Sequence, residues 1–303
     1  MTDNIDFFDK LQNLLKQPAT EAIWQEIFHL FIIWPDDDIR RAQALDVADQ
    51  QLSTWDDELR TAPANSIGIY KRGQISELSQ LVRSLRMYRI DENPTSILKS
   101  IAKSPYLQNL TQLSIYRCEE IDPEAFADLA QSPYLRKLQH LEIHRSDMGM
   151  NDAFYNFNSS STIEEMRSLE IIPKRVYFFD LMHSPITSNL HWLKLTSLYL
   201  TDWYIDVLSN TGFTTKIKYL NLNNNRLWDT GIKTLANSKS FQNLNYLSLS
   251  RNYIADEGAY YLAQSPYLHQ LQELHLVDTG ITNSGREALL NAPHLRNTKI
   301  VFE

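Results

Sequence analysis

The chain is 303 residues long, with 37 acidic and 29 basic side chains, a net charge of −8 and one cysteine. A lone cysteine excludes an internal disulfide framework, and an acidic chain without a basic run is a poor nucleic-acid binder by bulk electrostatics. No run of 18 apolar residues occurs, so no transmembrane helix is expected.

Residues 1–80 read as helical and do not repeat; they form the first expected domain, and residues 81–303 the second. Asn4 to Lys16 places Phe7, Phe8, Leu11, Leu14 and Leu15 on one helical face. Thr20 to Ile33 does the same with Ile23, Trp24, Ile27, Phe28, Phe31 and Ile32. Trp34-Pro35-Asp36 ends one helix and starts the next, with Asp36, Asp37 and Asp38 where a helix N-terminus favours negative charge. Ile39, Ala42, Leu45, Val47, Ala48 and Leu52 continue the apolar pattern, and Arg60 to Gly68 reads as loop. This segment holds 14 acidic and 7 basic side chains, against 23 and 22 in the remainder. The start Met1-Thr2-Asp3-Asn4 lacks the basic and apolar regions of a secretory signal, which predicts a cytoplasmic location.

From Val82 onward a pattern L-x-x-L-x-L recurs in eight copies, starting at Val82, Leu110, Leu138, Met166, Leu195, Ile217, Leu244 and Leu271. The starts are 28, 28, 28, 29, 22, 27 and 27 residues apart. The L-x-L core alternates apolar and polar residues, which predicts a short strand with one buried face. Amphipathic stretches such as Pro123 to Ala130 and Gly258 to Ala263 predict a helix after each strand. One unit cannot bury its own apolar face, so the units stack into an α/β solenoid, strands on the concave side and helices outside. Residues 1–80 then read as a helical cap over the exposed end of that stack. Ser104-Pro105-Tyr106-Leu107, Ser132-Pro133-Tyr134-Leu135 and Ser265-Pro266-Tyr267-Leu268 repeat at the helix exits, with Ala292-Pro293-His294-Leu295 a fourth copy. Gly231, Gly258 and Gly285 recur at helix starts, for close packing or a positive φ.

These units resemble leucine-rich repeats, and their 27–29-residue length with a full helix is similar to the ribonuclease-inhibitor type. The resemblance implies a horseshoe of about eight units and an interaction role without naming the partner. Residues 1–80 resemble the helical repeat-companion domain of bacterial proteins through Trp34-Pro35-Asp36-Asp37-Asp38, the Ala42–Ala48 helix and Trp55-Asp56-Asp57-Glu58-Leu59-Arg60-Thr61-Ala62-Pro63. Cys118 stands at the Asn position of its unit, where the side chain turns inward to satisfy loop backbone.

Strand alternation assigns the outward residues to columns. The central column is expected to run Arg86, Ser114, Glu142, Glu170, Tyr199, Asn221, Ser248 and His275. Tyr88, Tyr116 and His144 stack beside the turn residues Arg89, Arg117 and Arg145, an aromatic and cationic ladder that fits an acidic partner or the neighbouring Glu142 and Glu170. A second aromatic patch is expected from Tyr199, Trp203, Tyr219, Trp228 and Tyr246, although Trp203 and Trp228 also suit loop cores. The polar stretch Asn151 to Thr162 and the aromatic-rich Pro173 to Leu193 break the regular array, either as a binding feature or as drift.

No phosphate loop, zinc spacing or nucleophile elbow appears, and His140 and His144 lie on a strand rather than as a helical metal pair. No cofactor, metal, membrane or small-molecule substrate is expected. The expected function is a non-catalytic protein-interaction module, an adaptor or regulatory subunit of a bacterium, that binds a protein partner on its concave face. Two alternatives are a GTPase-activating regulator using Arg89, Arg117 or Asn224, and RNA binding through the tyrosine and arginine ladder.

Overall fold

The computed structural model of the protein describes residues 6–63, 75–90, 93–118, 121–144, 166–172, 187 and 189–303. Arg145, residues 64–68 and 151–162, and Tyr177, Phe178 and Phe179 lie outside the described residues.

Three helices open the chain: α1 (Phe7–Leu15), α2 (Glu21–Ile33) and α3 (Arg41–Gln51). Asp6 caps α1 by accepting from Phe8 N and Asp9 N, and Thr20 caps α2 through Ile23 N. Asp36–Asp38 do not start a helix as expected. Asp38 Oδ2 accepts from Trp34 Nε1 at 2.9 Å and its Oδ1 from Arg40 N at 2.9 Å, so it shapes the turn before α3. Phe7, Trp34 and Phe31 stack with centroids 5.4 Å apart, joining α1 to the end of α2.

The segment after α3 is more than a loop. Arg60 is 1% exposed. Its guanidinium donates to the carbonyls of Leu81 and Leu52 and to Asp49, which also receives Arg83 and Asn109. Thr61 bridges Ser84 in parallel, Ala62 N donates to Ser84 O at 2.8 Å, and Trp24 Nε1 donates to Thr61 O at 2.6 Å. The helical segment therefore meets the first repeat strand through backbone pairing and a buried charge cluster.

Nine strands follow among the described residues, in one parallel sheet whose spatial order is its sequence order. They are β1 (Ser84–Tyr88), β2 (Gln112–Tyr116), β3 (His140–His144), β4 (Ser168–Ile172), β5 (Trp192–Leu195), β6 (Tyr219–Asn221), β7 (Tyr246–Ser248), β8 (Glu273–His275) and β9 (Lys299–Val301). The expected eight units become nine strands. Leu85, Leu113, Leu141, Leu169, Leu193, Leu220, Leu247 and Leu274 share one register and are buried. On the other side lie helices α4 (Pro94–Lys103), α5 (Pro123–Ala130), α6 (Asp202–Asn210), α7 (Asp229–Asn237), α8 (Asp256–Ala263) and α9 (Asn283–Leu290). Where these helices are consecutive units they pack side by side, α4 on α5 and α6 through α9 in series.

The fifth unit departs from expectation. Its strand is Trp192–Leu195, paired Glu170 to Lys194 and Lys194 to Asn221. The motif therefore begins at Leu190, with Leu193, Leu195 and Leu198, rather than at Leu195. A start five residues earlier makes the spacing to the next unit 27 residues and leaves the fourth unit the short one, at 24. Tyr199 lies beyond the strand, with φ 56°.

Buried polar side chains join the units. Asn225 Oδ1 accepts from Leu198 N and Leu200 N, while its Nδ2 donates to Leu195 O and Leu222 O. Asn252 repeats this with Leu227 N, Leu222 O and Leu249 O. Cys118 occupies the same place, buried, its Sγ 3.5 Å from Tyr116 O. At the helix exits, Ser132 and Ser265 each donate at 2.5 Å to a carbonyl of the preceding helix, Ala102 O and Ala236 O. The following leucines, Leu107, Leu135, Leu268 and Leu295, are buried, whereas Tyr106 is 40% exposed.

Candidate partner-binding face

The sheet face opposite the helices carries no secondary structure of its own among the described residues, so its side chains define what the molecule offers a partner. Four of the predicted residues at its N-terminal end are exposed. In β1, alternation buries Leu85 and Met87 and turns Arg86 and Tyr88 outward, Tyr88 being 51% exposed. Arg89 and Arg117 follow their strands in the left-handed conformation, φ 47° and 52°, and are exposed. That backbone state is uncommon for a bulky residue, and in later units the position holds Asn224, Arg251 and Asp278. Arg86, Arg89 and Arg117 make no ion pair or side-chain hydrogen bond among the described residues.

The predicted acids behave differently. Glu142 Oε2 accepts from Ser114 Oγ at 2.9 Å and from Tyr116 Oη at 2.5 Å. Burial, with this hydrogen bond to Glu142, pushes the Tyr116 hydroxyl above its ordinary value. Tyr116 also packs against His144, with ring centroids 4.5 Å apart. Glu170 is buried and pairs with His144 Nε2 at 2.8 Å and Lys194 Nζ at 2.6 Å. Burial would raise its carboxyl, but His144 and Lys194 outweigh that and hold it below its ordinary value. Further along, Glu273 contacts His275 at 3.0 Å and Lys299 at 3.4 Å.

The aromatic patch is real but differently composed. Trp192, Tyr219 and Tyr246 occupy one register column, with centroids 4.7 and 4.1 Å apart and planes within 13°. His275, from the column two residues on, lies beside Tyr246 at 5.1 Å. Burial in this stack pushes Tyr219 up to about 12. Tyr199 leaves the expected central column, where Lys194 pairs with Asn221, and lies under the Arg226 guanidinium at 4.7 Å. Trp203 and Trp228 do not fill loop cores: they are 50% and 57% exposed, and Trp228 stacks on Tyr253 along the edge. Sequence reasoning missed Trp192 and Lys194 as members of the face. A frame starting at Leu190 would have found both.

A family model described as a leucine-rich repeat matches residues 215–236, 242–263 and 267–290, the units carrying β6 to β8 and their helices. These units are leucine-rich repeats. The nine-stranded part of the chain adopts the corresponding solenoid, and the chain aligns with a chain from the crystal structure of the yeast Rad7 and Elc1 complex at TM-score 0.51 and 14% identity, over 97% of this chain and 82% of that one. Two Listeria monocytogenes internalin structures are also similar. One aligns at TM-score 0.48 and 19% identity over 75% of this chain, and the chain spans 63% of that internalin's length. Internalin C2 aligns at TM-score 0.49 and 20% identity, over 76% and 84% of the two chains. At these identities the likeness describes the fold. No curated protein matches the sequence. Among the described residues, no helix of this leucine-rich repeat protein is long and apolar enough to cross a membrane, and no group of three or more His, Cys, Asp or Glu side chains is placed to hold a metal ion.

Proposed function

We propose that this chain is a non-catalytic protein-interaction module that binds a protein partner on the open face of its sheet. The observation that carries this reading is the pairing of a partly buried aromatic stack, Trp192, Tyr219 and Tyr246, with the exposed Arg86, Tyr88, Arg89 and Arg117 on one continuous face. Aromatic and arginine side chains are the types that dominate binding energy at interfaces, because they bury much area at low conformational cost. An open array suits an extended or folded protein surface better than a small molecule, which needs a concave pocket enclosing most of its area.

The finer reading is an adaptor or regulatory subunit in the bacterial cytoplasm, of the ribonuclease-inhibitor repeat type, in which residues 1–80 form a capping domain. The Arg60 and Thr61 contacts with the edge of β1 support the capping role. The test is affinity capture from native lysate with three proteins: wild type, Arg86→Glu/Arg89→Glu/Arg117→Glu, and Tyr219→Ala/Tyr246→Ala. One stoichiometric protein held by wild type and lost by both folded variants is the expected result. Equal capture by all three would move the binding surface off this face.

A further inference from the structure

Among the described residues the charge on the open face is not balanced, and the imbalance points to the partner's chemistry. Every described acidic side chain there is already engaged: Glu142 by Ser114 and Tyr116, Glu170 by His144 and Lys194, Glu273 by His275 and Lys299. The cations are not: Arg86, Arg89 and Arg117 have no carboxylate partner among the described residues. Glu142 and Glu170 engage Tyr116 and His144 rather than Arg89 and Arg117, so these two arginines are not neutralised by them, one of the two explanations the sequence allows. From these guanidinium groups, we infer that the face binds an extended acidic peptide segment of a partner protein, which lays carboxylates on Arg86, Arg89 and Arg117 and an apolar side chain against Trp192, Tyr219 and Tyr246. This inference rests on the proposed protein-binding role of the same face.

The geometry sets the spacing within that segment. Successive strands lie about 4.8 Å apart, so β1 and β5 are separated by about 19 Å across the sheet. An extended chain advances about 3.3 Å per residue, so the acidic cluster and the apolar anchor stand roughly six residues apart. The guanidinium fork takes a carboxylate in bidentate fashion, which favours Glu or Asp over a diffuse negative surface. The ring faces in the stack are covered by one another, so the peptide meets ring edges and the Tyr219 and Tyr246 hydroxyls.

The experiment uses fluorescein-labelled synthetic peptides with three glutamates and one tryptophan, separated by two, six or ten Gly/Ser residues. A six-residue peptide with lysine in place of glutamate and a single-stranded oligouridine 12-mer complete the set. Binding to the full chain is read by fluorescence anisotropy at low and moderate salt. The expected result is tightest binding of the six-residue acidic peptide, weakened by salt and about tenfold weaker with the Arg86→Glu/Arg89→Glu/Arg117→Glu protein. The lysine peptide should reverse that preference and bind the charge-reversed protein better than wild type. Because the three arginines are exposed, the variant should fold; an unchanged thermal melt checks it. Equal binding of acidic and lysine peptides, or binding of oligouridine alone, overturns the inference. If no acidic peptide binds while both face variants still lose a captured protein, the acidic chemistry is wrong and the protein-binding face stands.

Discussion

Asp229 Oδ1 stands 2.5 Å from the point that a Cβ on Gly258 would occupy, and it accepts Gly258 N at 2.9 Å and Ala255 N at 2.8 Å. The first residue of one helix thus caps the start of the next, and glycine leaves room for the carboxylate. Asp256 does the same for Thr282 N and Gly285 N, and Asp202 accepts Trp228 N and the Thr230 hydroxyl. The 27-residue recurrence of Gly231, Gly258 and Gly285 therefore reflects close packing; none of the three has a positive φ.

Gly258→Ala is expected to destabilise the protein by about 1–3 kcal/mol, the cost of overpacking a tight site. Asp229→Ala removes two backbone hydrogen bonds and should cost about 1 kcal/mol. The double variant should be more stable than the sum of the single effects predicts. The rescue is partial, because the added Cβ still meets Ile254 Cγ2 at 2.6 Å. Urea unfolding of the four proteins measures the coupling; strict additivity would refute the relationship.

Asn252→Ala strands two buried backbone groups, Leu227 N and Leu249 O, while Leu222 O keeps its bond from Asn225 Nδ2, and should cost about 2 kcal/mol. Cys118→Ala loses only weak sulfur contacts and should cost less. The Cys118 thiol, fully buried, should react with a thiol reagent only as fast as the protein opens, and at the free-thiol rate in denaturant.

Lys194→Met removes the ammonium that, with the His144 imidazole, faces the buried Glu170. An uncompensated buried carboxylate is costly, so the variant should lose about 1–3 kcal/mol at pH 7. Glu170 sits below its ordinary value in the native protein, so its contribution is present above about pH 4.5 and fades as pH falls through the lowered value. The difference between Lys194→Met and wild type should therefore shrink in acid. A pH series of thermal melts reads this directly.

Asp38 is held at about 2, first by the Arg40 side chain, then by Arg40 N and the Trp34 indole. Its folded value lies below the ordinary 3.8, so the stability it contributes is present above pH 3.8 and lost as pH falls toward about 2. Asp38→Asn should lower the melting temperature at neutral pH, by an amount that shrinks below pH 3.8 and vanishes as pH falls through about 2.

The repeat, its period and its buried leucines were legible in the sequence because stacking demands the same apolar residues in every unit. The inward role of Asn225, Asn252 and Cys118 was legible for the same reason. The fifth unit was not. Leu190, Leu193, Leu195, Leu198 and Leu200 satisfy the motif in two frames, and only pairing with Glu170 and Asn221 selects the earlier one. That selection places Trp192 and Lys194 on the face and moves Tyr199 off it.

Sequence periodicity by itself determined the solenoid, the alternation of the strands other than the fifth and the ninth, and which sheet face lies opposite the helices. Tertiary structure decided which charges on that face are free. Glu142 and Glu170 look available in the chain, yet they are satisfied by Tyr116, His144 and Lys194 from neighbouring strands. Ion pairing is set by side-chain reach across units about 28 residues apart, and a residue pattern records position along the chain rather than that reach.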